Sequence, residues 1–327
     1  MGGKILGEFP FISSVAAEMS EYAFSHYEGS ALLTSAERIC SVVELGDDIS
    51  YGDGVTALRN GGLTGRGVGI AVIDTGIYPH LDFCVPNLRI AAFVDFVDSR
   101  NYAYDDNGHG TSVAGIAAAG GYFGSVSGAA PLSHIVALKA VSASGTGGIV
   151  EILGAMQWIY SHHRELNIKV VNCSLGSEPI SGRDPLVTGV EALTAVGLTV
   201  VASAGNGGPS EGTIKSPGIS PSAITVGGAM KNGATYVAAP FSSRGDSKTV
   251  KPDLIAPSVD IDTLNAGGGF TRMSGTSAAA PFVAGYCALL CENYPSATPQ
   301  RIKELVLNSL RSLECPHLEC GSGILFD

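Results

Sequence analysis

Short runs of β-branched and small apolar residues recur along the chain, each closed by turn-forming residues: 70–74 (IAVID), 135–139 (IVALK), 168–174 (IKVVNCS), 198–203 (LTVVAS) and 223–228 (AITVGG). They are apolar throughout and do not alternate, which predicts strands buried on both faces. Between them lie helical stretches at 109–119, 147–165 (GGIVEILGAMQWIYSHHRE) and 184–196 (DPLVTGVEALTAV). Strand and helix alternate, so the pattern predicts an α/β fold with a mostly parallel central sheet and helices on both faces. Its functional site belongs at the carboxyl ends of the strands. Near the far end, Thr298-Pro299-Gln300 reads as an N-cap with Pro at the first helical position, opening the helix RIKELVLNSL.

The first fifty residues follow a different pattern. AEMSEYAFSHY predicts a short helix, and ICSVVELGDD predicts a strand ending in acid before the Gly-rich YGDGVTALRNGGLTGRG. The division falls at 1–50 for the extension and 51–327 for the main domain.

With 327 residues, 45% of them hydrophobic, the chain buries a large core; 44 glycines without a repeat suit tight turns and close packing. A net charge of −11 argues against nucleic acid or an anionic membrane as partner, since either would repel it. No apolar run reaches membrane-span length, and MGGKILGEFPFISS contains neither a continuous apolar signal core nor a myristoylation pattern. Seven cysteines at irregular spacings suit reduced thiols, so a cytoplasmic location is expected. Cys315-Pro-His317-Leu-Glu-Cys320 could instead hold a metal or form a bridge.

Four polar residues sit in small-residue turns at the edges of these elements. Ser277, in Gly275-Thr276-Ser277-Ala278-Ala279-Ala280-Pro281, precedes the helical run FVAGYCALLC. A serine at a helix N-terminus suits a nucleophile that generates an oxyanion, and equally suits a simple N-cap. His109, in Asn107-Gly108-His109-Gly110, offers an imidazole base or an exposed loop histidine. Asp74 ends the buried run IAVID, where α/β sheets keep function, although turn Asp is common there. Asn206, after LTVVAS, offers an amide at the same edge or a left-handed turn residue.

The segments VIDTGI, NGHGTSVAGI, VNCSLGS, VVASAGN, FSSRG…KPDLIAP and GTSAAAPFVAG, in this order over residues 60–310, resemble the successive signatures of the subtilisin (subtilase) family, with an intracellular-type bacterial character. The chain order Asp, His, Ser is also subtilisin's. The resemblance implies a three-layer subtilisin-like fold and a serine endopeptidase that needs no cofactor for its chemistry. Ser277 would be nucleophile, His109 general base then acid, Asp74 the group that orients the imidazole, and Asn206 an oxyanion donor. Ser144-Gly145-Thr146 and Ser174-Leu175-Gly176 would pair with an extended polypeptide substrate, beside Ala204 and Gly205. Lys215 would reach the pocket for the residue preceding the scissile bond and favour an acidic side chain there. Residues 1–50 resemble a shortened inhibitory prodomain, which makes the extension a candidate inhibitor and a candidate for self-processing.

The chain departs from the family pattern at Ser112 and Ala278, neither of which performs chemistry. The loop AAGGYFGSVSG lacks the carboxylate or amide of the family's calcium loop, and Asp82 alone survives as a matching ligand. The rival reading is a catalytically silent subtilase-fold binding or regulatory protein. A dinucleotide-binding reading of GRGVG fails because those glycines precede their strand, and an α/β-hydrolase reading fails because Ser277 lacks the G-x-S-x-G elbow.

Overall fold

A computed structural model describes residues 3–20, 24, 42–44, 56–124, 126–233 and 235–326. Its centre is an eight-stranded sheet. The five strands predicted from apolar runs are β4 (Gly69–Asp74), β6 (His134–Lys139), β8 (Ile168–Cys173), β10 (Thr199–Ser203) and β11 (Ile224–Asn232). Three further strands complete it: β5 (Ile90–Asp95), β12 (Thr235–Ala238) and β13 (Leu254–Pro257). The order is β12-β11-β10-β8-β4-β6-β5, with β13 also paired to β11, and every pairing is parallel except β11 with β12. In the sheet, β6 and then β5 lie on one side of β4, and β8, β10 and β11 on the other. The carboxyl ends of β4, β8 and β10 therefore meet at the crevice where α/β sheets bind ligands.

Alternate residues of β4 face opposite cores. Ile70 and Val72 join one cluster with Val113, Ala114, Ala117 and Ala278–Ala280, while Ala71 and Ile73 join another with Ile152, Met156, Val190 and Leu193. The first core is closed by α1 (His109–Ala118) and α4 (Thr276–Asn293), the second by α2 (Ile149–His162) and α3 (Pro185–Ala195). The result is the expected three-layer α/β fold. Helix α3 starts where Asp184 accepts N–H bonds from Leu186 and Val187 and Pro185 occupies the first turn. The last long helix, α5 (Pro299–Asn308), starts on Thr298, whose hydroxyl accepts from the Arg301 N–H.

The extension differs from its prediction. Residues 17–19, expected to begin a helix, lie in β2 (Ser14–Met19), which pairs antiparallel with β1 (Gly3–Phe9). Pairing with β1, not local propensity, decides their state. Phe9, Ile12 and Ala16 are buried in the core shared with α2 and α3. Most of the predicted helix and the proposed boundary at 50/51 lie outside the described residues. β3 (Val42–Glu44) falls within the strand expected from ICSVVELGDD.

The expected reduced cysteine set also requires correction. Cys315 and Cys320 are bridged, whereas Cys84, Cys173, Cys287 and Cys291 are free thiols. The single turn His317–Cys320 brings the two residues of the former pair together, which spacing alone left open. Among the described residues no helix is long and apolar enough to cross a membrane.

Candidate active site

Asp74 ends β4, and its 2% exposure leaves it almost wholly inside the protein. Its Oδ1 accepts the Thr75 N–H at 2.7 Å and lies 2.7 Å from His109 Nδ1. His109 opens α1 directly after Gly108, so the first turn of that helix presents the ring to the end of β4. The approach is close: a Cβ on Gly110 would lie 2.3 Å from the Gly76 carbonyl oxygen, and one on Gly76 would lie 2.2 Å from that of Tyr104. Only glycine permits both contacts.

Asp105 fastens this turn to the helix. One carboxylate oxygen accepts from the Thr75 hydroxyl and the Gly108 N–H; the other accepts from the N–H and hydroxyl of Thr111. Lys139, the last residue of β6 and opposite Asp74, is fully buried. Its ammonium donates to the carbonyls of Thr75 and Val141 and to Asp106, at 2.6, 3.0 and 2.7 Å. Asp105, Thr75 and Lys139 were missed in the sequence, although a lysine closing an otherwise apolar run and the acidic pair before NGHG were the available signals.

Ser277 is the second residue of α4, so its backbone N–H belongs to the helix's open first turn. Its hydroxyl donates to the Ser174 carbonyl at 3.2 Å. Pro281, four residues on, has no N–H for the Ser277 carbonyl. That carbonyl instead accepts the Ser174 hydroxyl at 3.1 Å, and Ser174 in turn accepts from the Asn172 amide. Ser277 and Ser174 are therefore joined in both directions. Burial, assisted by Asp74, pushes the neighbouring Cys173 thiol up to about 12, which keeps it protonated and unreactive.

The Asn206 side chain is oriented by its partner. Its Oδ1 accepts both the backbone N–H and the hydroxyl of Thr276, each at 3.0 Å. A backbone N–H can only donate, so the accepting end must be oxygen and the amide nitrogen is left to donate elsewhere. Ala204 and Gly205 lead into it, and the Gly205 N–H donates to the Thr276 hydroxyl.

The segments expected to bind substrate backbone form two short strands, β7 (Thr146–Gly147) and β9 (Leu175–Gly176). Gly145 turns the chain into β7 with a positive φ of 75°, and the Ser144 hydroxyl bonds that of Ser142. Between β7 and β9 lies β3 of the extension, antiparallel to both: Val42 opposite Gly147, Val43 opposite Thr146 and Gly176, Glu44 opposite Leu175. Lys215 lies beneath Gly205, where a Cβ would meet the lysine Cγ at 2.5 Å, and its N–H donates to the Ala204 carbonyl. Its ammonium forms an ion pair with Glu178, a residue absent from the sequence expectations.

Asp82 stands apart from this cluster. It is fully buried in the turn after β4, where Oδ1 accepts the Tyr122 N–H at 2.9 Å. Among the described residues, no group of three or more His, Cys, Asp or Glu side chains is placed to hold a metal.

Residues 65–323 match the model of the subtilase family. Serine protease AprX of Bacillus subtilis (strain 168) is 37% identical over 281 residues, which cover 77% of this chain and 63% of AprX. An alkaline protease of Shouchella clausii is 33% identical over 98% of this chain and 80% of its own. Among solved structures, Sphericase superimposes with a TM-score of 0.73 at 28% identity, covering 84% of this chain and 97% of that one. The chain belongs to the subtilase family and is a subtilisin-like serine endopeptidase.

Proposed function

We propose that Asp74, His109 and Ser277 form the catalytic triad, with Asn206 and the Ser277 N–H as oxyanion donors. The observation that carries this is the 2.7 Å contact of Asp74 with His109 Nδ1, which leaves Nε2 to serve as base at the edge of the sheet where α4 presents Ser277. On substrate binding the Ser277 hydroxyl exchanges its Ser174 carbonyl for His109 Nε2. Oγ then attacks the scissile carbonyl carbon as its proton passes to Nε2, and the oxyanion is held by the Asn206 amide and the Ser277 N–H. Collapse breaks the C–N bond, and the imidazolium gives its proton to the leaving amine. Water, deprotonated by the same imidazole, hydrolyses the acyl-enzyme. Asp74 stays ionised throughout and stabilises the imidazolium.

The substrate is a polypeptide bound in extended form between β7 and β9, and residues 1–50 act as its internal rival. Support comes from β3, which takes a substrate's place between those strands. Along the cleft, the position after the one opposite Leu175 falls opposite Ser174, whose carbonyl holds the Ser277 hydroxyl. The next residue in the sequence after Glu44 is Leu45, so we place self-processing at the Leu45–Gly46 bond.

One experiment tests both parts: labelling with a serine-directed fluorophosphonate, peptide mapping, and amino-terminal sequencing of the same sample. Label on Ser277 that is lost in His109→Ala, together with a new terminus at Gly46, is the expected result. Failure to label after the extension has been removed would overturn the protease mechanism in favour of a silent binding protein. Label on Ser277 with a terminus elsewhere would overturn only the processing site.

A further inference from the structure

The resemblance to subtilisins brings an expected calcium loop, and the residues here do not fit one. Calcium takes about six to eight oxygen ligands. The segment 118–128 supplies no side-chain carboxylate or amide, and Asp82 is the sole carboxylate expected to serve. A different cation already stands among the carbonyls. Arg89, on the short link between the turn at Leu81–Cys84 and β5, is 8% exposed. Its Nη1 donates to the carbonyls of Ala118 and Ser133, both at 2.8 Å, and its Nη2 donates to the carbonyl of Asp82.

These three acceptors come from three separate parts of the chain. Asp82 lies in the turn that leaves β4, Ala118 is the last residue of α1, and Ser133 immediately precedes β6. The Ala118 carbonyl is one of the open acceptors at a helix's negative end, a natural place for a cation. The Asp82 carboxylate adds negative charge: Oδ1 holds Tyr122 of the loop, and the buried Oδ2 has no hydrogen-bond partner among the described residues. Several converging carbonyls and one buried carboxylate are what a hard metal ion would recognise. A planar guanidinium serves the same acceptors while remaining covalently attached.

We propose that Arg89 is the internal cation of this site, so that the loop after α1 and the turn after β4 are held without calcium. The placement bears on catalysis because the two elements it fastens, β4 and α1, carry Asp74 and His109. The proposal does not depend on the catalytic mechanism, and its readout is thermal stability.

The test uses the full chain carrying Ser277→Ala, which prevents self-digestion. Melting is followed in excess EDTA and in millimolar calcium for the parent, Arg89→Gln, Arg89→Lys and Asp82→Asn. The parent is expected to melt at the same temperature in both conditions. Arg89→Gln is expected to melt on the order of 5–10 °C lower, because a carboxylate and three carbonyls lose their buried cation. Arg89→Lys, a point charge without the fork, should fall between the two and remain indifferent to EDTA; it carries the test if the glutamine variant does not fold. Calcium stabilisation of the parent that disappears in Asp82→Asn would overturn the proposal, as would an Arg89→Gln protein as stable as the parent.

Discussion

Asn206 and Lys215 illustrate how much one partner changes the reading of a residue. Thr276 holds the oxygen of the Asn206 amide, which leaves its nitrogen as the donor. Asn206→Ala removes the proposed oxyanion donor while leaving the strands that bind substrate untouched. The expected loss is in kcat with KM little changed, and its size is that measured for the same donor in subtilisin, about 100- to 1,000-fold. Steady-state kinetics on a peptide substrate decide it; an equal rise in KM would point to a binding role instead. Lys215 taken alone predicts a preference for acidic residues before the scissile bond, but Glu178 matches its charge. The pair is partly exposed and weakly held, 19% for Lys215 and 75% for Glu178. If Lys215 lines that pocket, a substrate carboxylate would compete with Glu178, and an aliphatic residue would meet no net charge. Glu178→Gln should therefore raise kcat/KM for Glu over Leu substrates by about fivefold, and Lys215→Ala should abolish any such gain. An unchanged ranking in both variants would remove Lys215 from the pocket. The four proposed chemical residues were legible because each interrupts an apolar run with a small, polar turn. Glu178 was not, since its partner lies 37 positions away and pairing across loops has no local pattern.

At the scale of elements, α4 is unusual in having Pro281 within its second turn. The proline leaves the Ser277 carbonyl without a helix donor, and the Ser174 hydroxyl supplies one from the end of β8. Ser174→Ala should cost about 1–3 kcal/mol of stability because it strands a buried carbonyl. In a Pro281→Ala background the new N–H can bond that carbonyl, so the same change should cost clearly less. Denaturant melts of the four proteins of this cycle, all carrying Ser277→Ala, measure the difference. Equal costs in the two backgrounds would refute the proline's role. The five central strands and five long helices were legible because uninterrupted apolar runs and cap residues such as Thr298 act locally. β5, β13 and the hairpin of β14 (Ile261–Leu264) and β15 (Phe270–Met273) were not predicted. The last three have only four residues each, β5 is only partly buried, and residues such as Asp262 and Arg272, which form an ion pair across that hairpin, break the apolar signal. At residues 17–19 the expected helix gives way to strand for a related reason: Ser14–Met19 takes its state from pairing with β1, a contact that helix propensity does not register.

Across the whole molecule, two described parts of the first fifty residues pack against the rest of the chain. The β1–β2 hairpin places Phe9, Ile12 and Ala16 in the core over α2 and α3, with Phe11 against Tyr160, while β3 lies between β7 and β9. The hairpin contact is apolar and well buried, whereas β3 is held through backbone pairing that any extended substrate can reproduce. If the extension is the inhibitor proposed above, the hairpin is expected to supply the hold and β3 the block. Cutting Leu45–Gly46 would not by itself free the cleft, because the hairpin keeps its contacts after cleavage. Replacing Phe9 and Ile12 with serine removes those contacts without touching the cleft. Core truncations of this kind cost several kcal/mol each when complete, so the released fragment should be held at least tenfold more weakly. Freshly purified full chain carrying both substitutions should show a shorter lag before peptide hydrolysis, then reach the same final rate as the parent, since the mature enzyme is identical. A lag of unchanged length would place the inhibitory hold in β3 alone. A lower final rate with less folded protein would instead assign the hairpin to folding, because an extension needed as a template leaves its mark on yield and not on the timing of release.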